Sequence, residues 1–429
     1  MNFNVEKKEN NIVTFKAEIE EDKFERAIDR AYLKIRNKFN VAGFRKGKAP
    51  KKIIELNYGE SIFYEEALNI LLPEAYEEAV KELELEPVDQ PQVDIEQLEK
   101  GKPVILKLDV TVKPEVKLGD YKSIEIEKAK YNVTEEDVKK EIENMQDMNS
   151  RLIDADDKEA ENGDILTINF EGYMDGEKFE GGTAENQNLE LGSKKFIPGF
   201  EEQLIGKKVG EKVDVNVKFP DDYFEEKLRS KDALFKVEIK EIKIKEKPKL
   251  DDEFAKDVSE FDTLDELKSS IKEKLEKEAK DKEKVENETK AIEKLMEISE
   301  VEIPEVMIDR QIDDEVSEFD YRLKMQGLSL DKYFEFANTS LEKLKEQFKE
   351  RSGNKVKSDL VLGELAKQEN IQATEEEIDK EIEKIAAEYN PKDTEKFKED
   401  VKKGDLEWIK SGIIKDKAIE LLIKNVKFV

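Results

Sequence analysis

In "NIVTFKAEIE" (residues 11–20) apolar and polar positions alternate: Val13, Phe15, Ala17 and Ile19 on one face, Thr14, Lys16, Glu18 and Glu20 on the other. That is the period of a strand with one face buried. "PVILKLDVTVKP" (103–114) repeats it with Val104, Leu106, Leu108, Val110 and Val112. Between the two the period changes to that of helices. Phe24, Ala27, Ile28, Ala31, Leu33 and Ile35 predict a helix from Asp22 to about Phe39. A second starts at Pro50, which suits a first helical position, carries Ile53, Ile54 and Leu56, and ends at Gly59. Residues 61–85 predict further helix with a break near Pro73. Residues 1–112 therefore read as an α+β domain.

Residues 113–160 read as a polar connector with helical content. Thr134 caps a helix bearing Val138, Ile142 and Met145, with Asp137 three residues after the cap. From 161 to 245 the chain turns strand-rich. Two short strands flank the Asp175-Gly176 turn, a strong hairpin signal. "KKVGEKVDVNVKF" and "ALFKVEIKEIKI" alternate, and "IPGFEEQLIG" (197–206) predicts one short helix. This is enough for a single sheet around a helix. Residues 246–429 are helical: a long helix from about Thr263 to Ile298, a second opened by Pro304, then helices near 330–350, 354–369, 374–388 and 404–425. Thr374 with Glu377 fits a capping box.

Composition narrows the chemistry. The 429 residues contain no Cys and no His, which excludes disulfides, thiolate or imidazole metal sites and His-dependent nucleophiles. No Walker loop is present, and no cofactor or metal is implied. The N-terminus lacks a basic region followed by an apolar run, and no 18-residue apolar run occurs, so the expected location is cytoplasmic, with no membrane contact.

The formal net charge is −30, which opposes general binding to nucleic acid. Against that background, the 25 residues from Arg30 to Ile54 hold nine basic side chains and no acid. With acids at one residue in four, about 0.1 such runs are expected by chance, so the run needs a reason. It can be a solvated helix face. It also places Phe44 between Gly43 and Gly47 beside Arg45 and Lys46, in a loop suited to apolar contact plus charge-assisted bonds.

"GFRKGKAP" (43–50) resembles the ribosome-binding signature of the trigger factor family of bacterial chaperones. The domain order is similar as well: an α+β head, a strand-rich domain matching the FKBP-type prolyl isomerases, and a helical region. The helical part is matched mainly by order and by "VEIPEVMIDRQID". The resemblance implies a multidomain α+β fold: a ribosome-binding head (1–112), a connector packing with the helical domain (113–160), an FKBP-like sheet domain with a short helix (161–245), and a mostly α-helical chaperone domain with arms (246–429). It implies that Phe44, Arg45 and Lys46, supported by Lys48, dock on an exit-tunnel protein and adjoining rRNA of the ribosome. It implies nascent and unfolded polypeptides as further partners, and a homodimer off the ribosome.

For the isomerase domain the resemblance implies a pocket lined by Phe170, Phe179, Phe196, Ile197, Phe200, Tyr223 and Phe235. Ile197 offers its backbone N–H to the substrate carbonyl, Tyr223 its hydroxyl, and Glu180 stands beside the pocket. Phe200 departs from the family pattern, where Trp is common, and so does Leu189, where an aromatic is common. Prolyl isomerisation needs no nucleophile: the barrier is amide resonance, about 20 kcal/mol, which a water-poor pocket lowers by favouring the twisted form. In the helical domain Met307, Phe319, Met325, Phe334, Phe336, Leu341, Phe348 and Trp408 are candidates for client contact or for helix packing. Three functions fit these residues. The first is an ATP-independent ribosome-associated chaperone with isomerase activity. The others are a free FKBP-type enzyme with client-recruiting domains and a ribosome assembly factor.

Overall fold

A computed structural model describes residues 1–99, 101–155, 157–223, 225–389 and 394–429, the side chains at 180, 388 and 389 excepted. In chain order the elements begin with β1 (Asn2–Glu9), β2 (Ile12–Ile19), α1 (Glu21–Ile35), α2 (Lys51–Tyr58), α3 (Tyr64–Glu82), β3 (Gln92–Gln97), β4 (Val104–Thr111) and β5 (Glu125–Ile126). Then come α4 (Glu135–Met148), β6 (Arg151–Asp154), β7 (Ile165–Met174), β8 (Glu177–Glu190), β9 (Lys212–Lys218), β10 (Asp232–Glu246) and α5 (Asp252–Val258). The chain ends with α6 (Leu264–Ile298), α7 (Glu305–Met325), α8 (Leu330–Ala337), α9 (Leu341–Gln368), α10 (Glu375–Tyr389), α11 (Thr394–Lys403), α12 (Glu407–Asn425) and β11 (Lys427–Phe428). The chain divides into two compact units, Met1–Ala129 with Val285–Val429, and Lys130–Lys284.

In the first unit an antiparallel sheet runs in the order β1-β2-β4-β3. The alternation in β2 and β4 is realised: Phe15 pairs with Leu108 and Ala17 with Leu106, all four buried. The α1 residues Phe24, Ala27, Ile28, Ala31 and Ile35 close that core. Leu33, expected among them, is exposed. α3 does not break at Pro73 but runs through it. Leu71, Ala75 and Ala79 form one buried face on both sides of the proline, and that burial outweighs the missing N–H.

The helical part of this unit holds residues 118–126 within its own core. Tyr121, Ile124 and Ile126 pack with Ala291 and Leu295 of α6, Leu362 and Leu365 of α9 and Leu422 of α12. β11 adds a parallel pair to β5. The break expected near 350–354 is absent, because Ser352 is fully buried and α9 continues through Gly353. The interruption lies instead at Asn338, which ends α8 in the left-handed conformation at φ 47°. α11 lies between the helices predicted near 374–388 and 404–425, in a stretch for which the pattern predicts none.

In the second unit β7 lies on one edge of the long β10, while β9 and β6 share its other edge and β8 follows β7. The Asp175-Gly176 turn joins β7 and β8, with positive φ at both residues. The short helix expected over 197–206 is not formed. Pro198 and Gly199 (φ 87°) hold the start in turns, and only Glu202–Leu204 completes a 3-10 turn. Residues of α4, α5 and the start of α6 make a separate small core, with Val138 and Ile142 against Phe254, Leu267 and Ile271.

Candidate functional sites

Phe170 sits on β7, Phe179 on β8 and Phe235 on β10, and the pleat brings these three rings together. Their centroids lie 5.8 Å apart for both Phe170–Phe235 and Phe179–Phe235, in edge-to-face contact. Gly172, opposite Phe235 in the sheet, makes room: a Cβ there would stand 2.6 Å from the Phe179 ring and 2.8 Å from the Phe235 ring. The loop after β8 brings Phe196, 5.1 Å from Phe200, and Ile197. The segment after β9 brings Phe219 and Tyr223, 4.8 Å apart. Together they line a cavity of ≈ 960 Å³. All seven residues expected at the pocket besides Glu180 border it. The side chain of Glu180 lies outside the described residues.

The cavity is mostly apolar with a few polar groups at its edge. The Ile197 N–H donates to no acceptor among the described residues, whereas the Ile197 carbonyl accepts the Phe200 N–H at 3.0 Å. Burial pushes the Tyr223 hydroxyl pKa up, which keeps it a neutral donor.

Sequence reasoning missed the group that shapes this loop. Glu201 is only 4% exposed. Its Oε2 accepts the N–H groups of Gly192 (2.8 Å) and Lys194 (3.1 Å); its Oε1 accepts those of Lys195 (3.1 Å) and Phe196 (3.2 Å) and the Ser193 hydroxyl (3.2 Å). Burial pushes its carboxyl up, but the bonds from Phe196, Lys194, Gly192 and Ser193 outweigh burial and hold it below the usual value.

The second candidate site is the loop between α1 and α2. Val41 and Ala49 are buried and pin its two ends. Two tyrosines bond to the same ends: Tyr58 donates to the Asn40 carbonyl at 2.8 Å and Tyr32 to the Ala49 carbonyl at 3.0 Å. Gly47 needs its φ of 77° and packs on Asn37, where a Cβ would fall 1.7 Å from Oδ1. Between these anchors Phe44 is 41% exposed, and Arg45, Lys46 and Lys48 are exposed. The acid-free run divides in two here. Arg30 pairs with Glu74 (2.8 Å), Lys34 with Glu66 (2.5 Å) and Lys51 with Asp29 (2.7 Å), so acids on neighbouring elements face the helical cations. Among the described residues no acid pairs with Arg45, Lys46 or Lys48.

A model described as bacterial trigger factor protein matches residues 1–145, and one for its C-terminus matches 263–424. Between them, the model of FKBP-type peptidyl-prolyl cis-trans isomerase matches 156–240. The trigger factor of Alkaliphilus oremlandii is 47% identical over 429 residues, covering 100% of both chains. The chain belongs to the trigger factor family. The trigger factor of Clostridioides difficile is 48% identical over 419 residues, 98% of each chain. A solved structure from a study of promiscuous substrate recognition in folding and assembly by the trigger factor chaperone matches 99% of both chains at 27% identity, with a TM-score of 0.52.

Family membership accounts for the multidomain fold, with a strand-rich isomerase domain set into a chain that is otherwise an α+β head and helices. No helix among the described residues is long and apolar enough to cross a membrane. Of the eight residues proposed for client contact, Met325, Phe336, Leu341 and Trp408 are exposed, while Met307, Phe319, Phe334 and Phe348 are half-buried.

Proposed function

We propose that this chain is an ATP-independent, ribosome-associated chaperone of the cytoplasm that binds nascent unfolded chains at the exit tunnel and isomerises X-Pro bonds. The observation that carries the enzymatic half is the convergence of aromatic side chains from β7, β8, β10 and two loops on one cavity. A prolyl ring enters between Phe170, Phe179, Phe196 and Phe235. There the planar, dipolar amide loses solvation, and the twisted state, with its resonance gone, loses less. The unspent N–H of Ile197 meets the substrate carbonyl and orients the chain, and the neutral Tyr223 hydroxyl supplies a second donor at the rim. No proton moves and no covalent bond forms, so the absence of His and Cys costs the reaction nothing.

The docking half rests on the loop geometry. Phe44 is the apolar plug; Arg45 and Lys46 beside it, with Lys48 in support, meet phosphate and acidic protein groups. A local cationic tip on an acidic chain orients the particle on the ribosome while the remaining charge keeps it from adhering elsewhere. Residues 1–112 form the docking head, 161–245 the isomerase and 246–429 the chaperone body joined by 113–160.

The enzymatic reading is tested by the cis-to-trans rate of a Phe-Pro tetrapeptide with the full chain. The rate rises with enzyme concentration, and Phe170→Ala or Tyr223→Phe lowers kcat/KM by about 10-fold or more. No acceleration by the intact chain rejects it.

A further inference from the structure

Among the described residues four charged ones line the isomerase cavity, and three of them are lysines. Lys195 comes from the loop after β8, Lys227 and Lys231 from the segment between β9 and β10, and Glu225 is the one carboxylate. All four are exposed, so they stand at the mouth and not within the wall of rings. Other cations of this domain are spent on acids: Lys178 pairs with Glu171 at 2.9 Å and Arg229 with Glu226 at 3.7 Å. Among the described residues no acid pairs with Lys195, Lys227 or Lys231. Three cations against one anion leave the mouth with an excess of two positive charges.

The backbone that carries these lysines is braced. The Phe219 N–H donates to the Lys231 carbonyl at 2.9 Å and closes the segment at its base. Inside it, the Arg229 Nε donates to the Tyr223 carbonyl at 2.6 Å, and the Ser230 hydroxyl donates to Asp221. The Leu228 N–H bonds the Glu225 carbonyl at 3.0 Å and the Lys231 N–H the Leu228 carbonyl at 3.2 Å. Across the cavity the Lys195 N–H donates to Glu201 Oε1 at 3.1 Å. Attachment points fixed in this way keep the three charges at the mouth before any substrate arrives, which lowers the cost of binding a complementary one.

We propose that Lys195, Lys227 and Lys231 are specificity-determining residues, and that the cavity selects X-Pro bonds flanked by acidic residues. The prolyl ring goes to the aromatic wall, and the extended chain on either side of it leaves over the mouth. At about 3.3–3.6 Å per residue, an Asp or Glu within two or three positions of the proline passes the reach of these long side chains. The sign runs against the rest of the molecule. A chain of net charge −30 repels acidic segments as a whole. At about 0.15 M salt, however, screening cuts interactions off near about 8 Å, so a bound peptide feels the mouth and not the distant acids. This rests on the isomerase reading above and adds to it a choice among X-Pro bonds.

The test follows cis–trans exchange by NMR, with the full chain and a concentration series of three acetylated, amidated peptides: Glu-Ala-Phe-Pro-Ala-Glu and its counterparts with Gln or Lys at both ends. At about 0.15 M salt, kcat/KM is expected to be highest for the Glu peptide and lowest for the Lys peptide, with a spread of about 10-fold carried in KM. The spread is expected to shrink at about 1 M salt, where screening acts within about 3 Å. A Lys195→Gln, Lys227→Gln, Lys231→Gln variant is expected to lose it. Equal values for the three peptides, or the reverse order that net charge dictates, overturn the proposal and leave the isomerase reading standing. A spread indifferent to salt, or kept by the triple variant, overturns the assignment to these charges. No acceleration of any peptide overturns both readings. The peptide comparison and the salt series use the unaltered chain, so a folding defect in the variant leaves the answer intact.

Discussion

The carboxylate of Glu201 accepts the backbone N–H of Phe196 at 3.2 Å, five residues back along the chain. That bond belongs to a set of five that folds 192–196 around one buried anion, and it fixes where Phe196 and Ile197 face the cavity. A carboxylate supplies only acceptors, and every group around it is a donor. Glu201→Gln turns one acceptor into a donor facing N–H groups. It is expected to cost about 1–3 kcal/mol of stability and to lower kcat/KM on a Phe-Pro peptide by about 10-fold, with ribosome binding unchanged. The sign with pH follows from the lowered pKa. The bonds stabilise the fold above the unfolded carboxylate value, and that stability is lost as pH falls through the lower folded value. Thermal melts of the wild type and the Gln variant between neutral and acid pH check this: the two curves converge as pH falls.

Gly172 takes ordinary backbone angles, so alanine there strains no dihedral. The added methyl group would stand 2.6 Å from the Phe179 ring. Gly172→Ala is expected to displace Phe179 from the cavity wall, to cost about 1–3 kcal/mol as overpacking, and to cut isomerase activity more than it cuts stability at assay temperature. Activity equal to wild type would show that the position of Phe179 does not matter to the reaction.

Glu315 of α7 is only 4% exposed, and neither of its oxygens has a hydrogen-bond partner among the described residues. The nearest cation is Arg351 of α9, whose Nε stands 3.5 Å away. A buried carboxylate with one loose partner is a poor stabiliser. Glu315→Met is expected to raise the melting temperature, by an amount equivalent to about 1–4 kcal/mol, and Arg351→Ala to lower it. Calorimetry on the full chain distinguishes the two signs.

Glu377 is held at a pKa of about 2, first by the Thr374 N–H at 2.8 Å and then by Lys417, with the Thr374 hydroxyl adding to it. These contacts support the start of α10 above the unfolded carboxylate range and fail as pH drops from about 4.5 toward 2. Amides at the start of α10 are expected to lose protection across that window, and Glu377→Gln to remove the dependence.

The sequence carried what burial makes periodic. β2 and β4 have one face in the core, so Phe15 and Leu108 announced themselves through alternation. β1 and β3 are edge strands with almost no buried face, and residues such as Lys7, Lys8 and Glu96 give no such signal. The α8–α9 boundary failed for a different reason. Asn338 can adopt the left-handed conformation without any sequence mark, while Gly353, which looks like a stop, lies inside a helix whose neighbours are buried. At the pocket the aromatics were legible as a pattern, but Phe219 reads as the end of a strand and was passed over. Glu201 was passed over because a carboxylate that bonds backbone groups has no apolar or spacing signature. The cationic loop was legible from the missing acids. The tyrosine bonds at its two ends, from Tyr58 and Tyr32, came only with the fold.

The most direct test of the account is co-sedimentation of the full chain with bacterial ribosomes across a salt series, beside a folded Phe44→Ala, Arg45→Ala, Lys46→Ala variant. The intact chain is expected to pellet at low salt and to be released as salt rises, since cations at the loop displace counterions from phosphate. The triple variant is expected to stay in the supernatant throughout. Equal pelleting of the two, or binding indifferent to salt, would contradict it.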